Sequence, residues 1–191
     1  MPADPTSQSR LIWSLSWPQM LMMLFHFLIG FVDVWVAGRI DHRVQASLGI
    51  ITQSLFFFLI IATAVAGGGV AAISQSIGAG KHKRADRYIG LCLIIAVVFG
   101  LIFPLIGLPT RDFFVRALQV PEDIVPLTGY ILDVFLYTLP PYYLLIVLNA
   151  VFRARRQVMV PLYAMVLVTA VNTLGDLGFG LGLWGLPQLG A

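Results

Sequence analysis

Charge is scarce in this chain. Only 11% of its 191 residues are Asp, Glu, Lys or Arg, against 59% apolar. Soluble domains carry roughly a quarter charged residues, so an ordinary water-soluble fold is excluded. Disorder needs low hydrophobicity and high charge, and is excluded too. Cysteine is nearly absent: the single Cys92 rules out an intrachain disulfide framework and any paired-cysteine zinc site. Catalytic signatures are missing as well, with no HExxH, no triad-like arrangement and no cluster of metal ligands. Gly78-Ala79-Gly80 precedes Lys81 without the spacing or the preceding strand of a phosphate loop. Neither enzymatic chemistry nor a cofactor is expected.

What the chain has instead is long apolar runs and a mean hydropathy of +0.89. Five stretches lie between charged residues: 11–37, 48–78, 88–108, 124–152 and 158–183. Together they make up about 70% of the residues. About 20 helical residues cross the hydrocarbon of a bilayer, so each stretch is long enough to span. Only helices and closed barrels cross lipid with every backbone group satisfied. Barrel strands read as alternating segments of ~10 residues, and these runs do not alternate. The expected fold is all-α, a polytopic transmembrane bundle forming one transmembrane domain over 1–191. The first stretch is too long for the core of a signal peptide, and Arg10 is the one basic residue before it.

The twelve Lys and Arg residues all fall outside these stretches and set an orientation. One side carries Arg10, the Lys81–Arg87 loop and the Arg153–Arg156 loop, eight basic residues in all. The other carries Arg39, Arg43, Arg111 and Arg116, interspersed with Asp41, Asp112, Glu122 and Asp123. The expectation is a multi-pass protein of the cytoplasmic membrane with a cytoplasmic N-terminus. The same loops account for the basic pI of 9.3, so no nucleic-acid partner is expected.

Asp33, Asp133, Asp176 and His26 lie inside the spans. An aspartate at mid-bilayer costs about 2.5–3.5 kcal/mol on insertion scales, which makes an intramembrane acid a functional candidate. The first and fifth spans run in the same direction. At 1.5 Å per residue, Asp33 and Asp176 sit roughly 6 and 10 Å below the outer edge. Asn172 is one turn below Asp176 on the same face, and His26 two turns below Asp33. These residues form a candidate polar cluster that binds a proton or Na⁺; no other metal is expected. The structural alternative is that the acids snorkel or cap helix ends and that His26 is an interhelical donor. Asp133 has no obvious partner, and a helix–helix hydrogen bond competes with a functional reading. Pro18 and the pair Pro140–Pro141 each remove a backbone donor and favour a bend. Gly67, Gly68 and Gly69 permit close helix approach or local unwinding.

At this point the residues resemble a known family. Trp17-Pro18, followed by Gly30-Phe31-Val32-Asp33 and Ala37-Gly38, is similar to the first helix of MATE (multidrug and toxic compound extrusion) transporters. Ile73-Ser74-Gln75 with Gly78-Ala79-Gly80 resembles the end of their second helix. Pro161 and the Asn172-x(3)-Asp176 element resemble their fifth, and 185–191 the loop before the sixth. The likeness implies an H⁺- or Na⁺-coupled antiporter that expels amphipathic, often cationic drugs through a cavity holding Asp33, Asn172, Asp176 and Asn149. It also implies a partner, because the family has twelve helices in two lobes and these spans match part of the first. Arg153-Ala154-Arg155-Arg156-Gln157 departs from the family, being more basic and lacking a Gly-Asp. A lipid-linked oligosaccharide flippase of the same superfamily is the alternative, as is a membrane subunit that transports nothing.

Overall fold

The computed structural model describes residues 5–185 and 187, with side chains from residue 8 onward. Residues 186 and 188–191, which carry part of the resemblance in the last loop, lie outside the described residues. Six α-helices follow in order: α1 (Pro5–Ile40), α2 (His42–Gly78), α3 (His82–Gly107), α4 (Arg111–Ala117), α5 (Val125–Ala154) and α6 (Met159–Gly175). A π-helical turn, Asp176–Gly180, continues α6, and a short 3₁₀ turn covers Leu183–Gly185. Among the described residues, five helices are long and apolar enough to cross a membrane.

The helices outrun the apolar stretches. α1 begins before Arg10 and ends after Arg39, and α3 starts at His82, six residues before the expected 88. Headgroup and water do not unwind a helix whose hydrogen bonds are internal, so the polar flanks continue the spiral. The last stretch does the opposite. It was expected to run to 183, yet regular α-helix stops at Gly175 and the π turn at Gly180, before the positive-φ residues Gly182 and Trp184. The segment between the third and fourth spans contains a further helix, the seven-residue α4.

The helices sort into two compact units. The larger, Asp41–Arg155, holds α2 to α5, with α5 packed against α2, α3 and α4. Asp41 starts it as an N-cap in extended conformation, its carboxylate accepting from the backbone N–H of Arg43 at 2.8 Å. α2 ends in a Schellman turn. Lys81 N–H reaches the Ser76 carbonyl and Gly80 N–H the Ile77 carbonyl, and the φ of +70° at Gly80 is one that glycine adopts without Cβ strain. Ile51, Ile73, Leu136, Tyr143 and Val147 are nearly fully buried in the core. The Tyr143 hydroxyl donates to the Phe58 carbonyl, and the Phe58 ring meets Phe103 edge-on at 4.8 Å. Ser47 and Thr128, both 0% exposed, join α2 to α5 through a 2.9 Å hydrogen bond.

The proline and glycine features act here as contacts. α2 runs unbroken through Gly67–Gly69, so the three glycines do not unwind it. Gly69 instead admits Cys92 Sγ, which would lie 2.8 Å from a Cβ at that position. α5 runs through Pro140 and Pro141, and the Pro140 backbone sits against Gly100 of α3.

The second unit, Met1–Ile40 with Arg156–Ala191, packs α1 against α6 and the π turn. α1 passes through the buried Pro18 without a break in its helix. Trp13, Met23, Phe27, Phe31, Leu167 and Val171 are among its exposed apolar side chains. Such an exposed apolar surface suits a helix whose outer solvent is lipid.

Candidate functional site

The smaller unit brings three of the candidate residues together. Asp33 lies on α1 seven residues before its end, and Asp176 is the first residue of the π turn. Their carboxyl groups lie close enough to interact. Asn172, one α-helical turn before Asp176, stands on the same face of α6. Asp33 Oδ1, Asp176 Oδ2 and Asn172 Oδ1 are buried and lack a hydrogen-bond partner within the protein. Buried acceptors are normally satisfied. Three unsatisfied oxygens in one unit therefore offer a proton, or a hard cation that takes oxygen ligands, a place to bind. This donor set fits Na⁺ as well as H⁺.

Local backbone geometry holds the pair in place. α6 changes from i→i+4 to i→i+5 bonding at Asp176, whose carbonyl accepts from the Leu181 N–H at 3.2 Å. π turns of this kind are rare and frequent at functional sites. Within the turn, Gly180 approaches α1 so closely that a Cβ there would lie 2.8 Å from Val36 Cγ1. Val36 is one turn beyond Asp33, so this close approach fixes the two helices beside the two carboxyl groups. The aspartate of such a turn cannot be told from an ordinary helical one by sequence spacing alone.

The other candidates lie elsewhere. His26 is exposed on α1, seven residues before Asp33. Asn149 is half-buried on α5, five residues before Ala154, and belongs to the larger unit. Asp133 also lies on α5, and the expectation that it lacks an obvious partner is corrected. Its Oδ2 accepts from Arg111 Nη1 at 2.6 Å, while Arg111 Nε binds Asp112 at 3.0 Å. The hydrogen bond it donates to Asp133, followed by that to Asp112, pushes the Arg111 guanidinium above its ordinary pKa. From sequence Arg111 is one more loop cation, because its partner is 22 residues away and its own helix is too short to show periodicity. The available signal was Arg-Asp-Phe-Phe-Val-Arg-Ala itself, a charged end followed by apolar residues. Among the described residues, no group of three or more His, Cys, Asp or Glu side chains is placed to hold a metal ion.

Comparison with known proteins matches this arrangement to one family. The MatE family model matches residues 18–177. The probable multidrug resistance protein YoeA of Bacillus subtilis is 26% identical over 71% of this chain and 30% of its own length. The probable multidrug resistance protein NorM of a Synechocystis strain is 24% identical over 84% of this chain and 35% of its own. The chain thus spans about a third of the length of these relatives. Among solved structures, a MOP superfamily transporter from Pyrococcus furiosus, described as having a binding pocket of reverse polarity that suggests a different function, superposes with a TM-score of 0.85. It is 23% identical, over 94% of this chain and 39% of its own. An outward-facing multidrug resistance MATE family transporter gives the same values. At that identity the structural likeness speaks for the fold, and it agrees with the family match over most of the chain: this polytopic helical protein belongs to the MatE family.

Proposed function

We propose that the chain is the N-terminal lobe of an H⁺- or Na⁺-coupled exporter of amphipathic, often cationic drugs, and that Asp33, Asp176 and Asn172 bind the coupling ion. The placing of Asp33 and Asp176 on packed neighbouring elements, with buried oxygens of both and of Asn172 left without a hydrogen-bond partner, carries this reading. Loading a proton or Na⁺ there offsets the charge of the two acids and favours whichever state of the lobe holds the ion tighter. An ion shifts a conformational equilibrium only by its differential affinity for the two states. Asn149 is proposed as a further polar group of the drug cavity. His26 and Asp133 are secondary, and Pro18, Pro140 and Pro141 are proposed as bending points. The remainder of the exporter is the partner of this lobe in the cytoplasmic membrane. The eight basic residues around Arg10, Lys81–Arg87 and Arg153–Arg156 support a cytoplasmic N-terminus. A carrier of lipid-linked oligosaccharide would present cations to its phosphates, whereas the basic residues here sit in loops and at helix ends.

The test is efflux of a fluorescent cationic dye from vesicles holding the full-length protein, driven in turn by a pH gradient and by a Na⁺ gradient. Asp33→Asn and Asp176→Asn each keep a polar side chain but remove the proton-accepting, negatively charged group, so each should abolish gradient-driven efflux at unchanged expression. Unimpaired efflux in both variants sinks the assignment. The gradient that drives wild-type efflux identifies the ion.

A further inference from the structure

The turn between α2 and α3 holds a feature that drug efflux does not use. Gly80, Lys81, His82, Lys83, Arg84 and Arg87 line an open concavity of about 610 Å³. Four of the six are permanent cations and none is acidic. Asp86, the acid within this stretch, turns to Arg155 at 3.3 Å. Arg84 lies 5.4 Å from the centroid of the Tyr88 ring and donates to its hydroxyl at 2.9 Å, which holds its guanidinium beside the helix. Lys81, Lys83 and Arg87 are exposed. Like charges held around one hollow repel each other unless an anion joins them.

The length of α3 gives the depth of this hollow. Its 26 residues make about 39 Å of helix, against ~30 Å of hydrocarbon and ~40–45 Å of bilayer with headgroups. The apolar part, Tyr88 to Gly107, fills the hydrocarbon by itself. His82 to Arg87 therefore stands at headgroup depth, with the concavity at the level of the lipid phosphates. Basic clusters next to a membrane span attract anionic lipids, at about 1 kcal/mol for each Lys or Arg near the surface.

We infer that this concavity binds the phosphate of an anionic phospholipid headgroup in the leaflet that borders the α2–α3 turn. Lys83 and Arg87, four residues apart on one face of α3, clasp the phosphate. Lys81 closes the hollow from the turn, and Arg84, kept by Tyr88, adds its field. The inference rests on the membrane-spanning arrangement and not on which ion or drug is carried.

Full-length protein is incorporated into nanodiscs of phosphatidylcholine doped with phosphatidylglycerol, released, and weighed with its retained lipids by native mass spectrometry. Wild type should keep phosphatidylglycerol in preference to phosphatidylcholine. Lys83→Gln/Arg87→Gln should bind it roughly tenfold more weakly or worse. Arg10→Gln/Arg116→Gln removes the same charge elsewhere and should bind as wild type does. Inorganic phosphate in excess should not displace the lipid. Equal retention of the two lipids by wild type, equal losses in the two double variants, or displacement by free phosphate each overturns the proposal. No drug is moved in this measurement, so its failure leaves the efflux reading standing, and an efflux-dead protein still answers it.

Discussion

Gly100 stands where α3 crosses α5, and replacing it with alanine sets two effects of similar size against each other. A Cβ there would lie 3.0 Å from Pro140 Cα, 3.4 Å from Tyr143 Cβ and 3.5 Å from the Pro140 carbonyl oxygen. Alanine is the better helix former by roughly 1 kcal/mol. Overpacking a close contact costs about 1–3 kcal/mol, and the neighbour decides where in that range. Here the nearest neighbour is backbone, which has no rotamer to change, so α5 itself must give way. Tyr143, 1% exposed and hydrogen-bonded to Phe58, would have to move with it. The upper half of the range applies, and Gly100→Ala should lose roughly 1–2 kcal/mol net. Gly68→Ala is the control. Nothing lies within 4 Å of its Cβ, so the propensity gain acts alone. Thermal unfolding of the full-length variants in detergent, followed by fluorescence-detected gel filtration, should place Gly68→Ala at or above wild type. Gly100→Ala should fall below wild type, in line with its loss of roughly 1–2 kcal/mol. A Gly100→Ala protein as stable as wild type refutes the close crossing and, with it, the argument from Pro140.

Two further outcomes follow from the larger unit. Arg111→Gln and Asp133→Asn should each lower Tm, whereas the double variant should recover part of the loss, because neither group is then left facing an unpaired partner; strictly additive losses in this cycle would contradict the 2.6 Å pair. Ser47→Ala strands the Thr128 hydroxyl at 0% exposure and should cost about 1–3 kcal/mol in the same unfolding assay. Ser47→Ala with Thr128→Val should cost less than Ser47→Ala alone, and a larger cost would argue against the hydrogen bond between α2 and α5.

The spans could be read from the sequence because their signal is coarse: an apolar run of twenty or more residues has few other uses. Helix ends could not, because Arg10, Arg39 and Lys83 continue α1 and α3 through the headgroup zone without any change in backbone bonding. The similar levels of Asp33 and Asp176 followed from counting residues, and the structure puts the two residues on neighbouring elements of one unit. Counted from the helix ends instead, Asp33 lies seven residues before Ile40 and Asp176 four before Gly180, because α1 outruns its apolar stretch and the last span stops short of its own. α4 escaped because seven residues hold less than two full periods of a helix, and the partner of Asp133 escaped with it. In Gly67–Gly69 composition left two readings open, close approach or unwinding. The facing residue settled it, and Cys92 could be identified only in three dimensions.

The π turn at Asp176 also changes how relatives should be compared with this chain. Five residues there close a loop that four would close in an α-helix, so the turn behaves as one residue inserted into a regular spiral. A relative that keeps plain α geometry through this stretch would align correctly up to Asp176 and then need a one-residue gap before Leu181. A gapless alignment would match residues beyond the turn to side chains pointing in other directions. Equivalences assigned on either side of Asp176–Gly180 therefore belong to two separate helical registers, each to be counted from its own end.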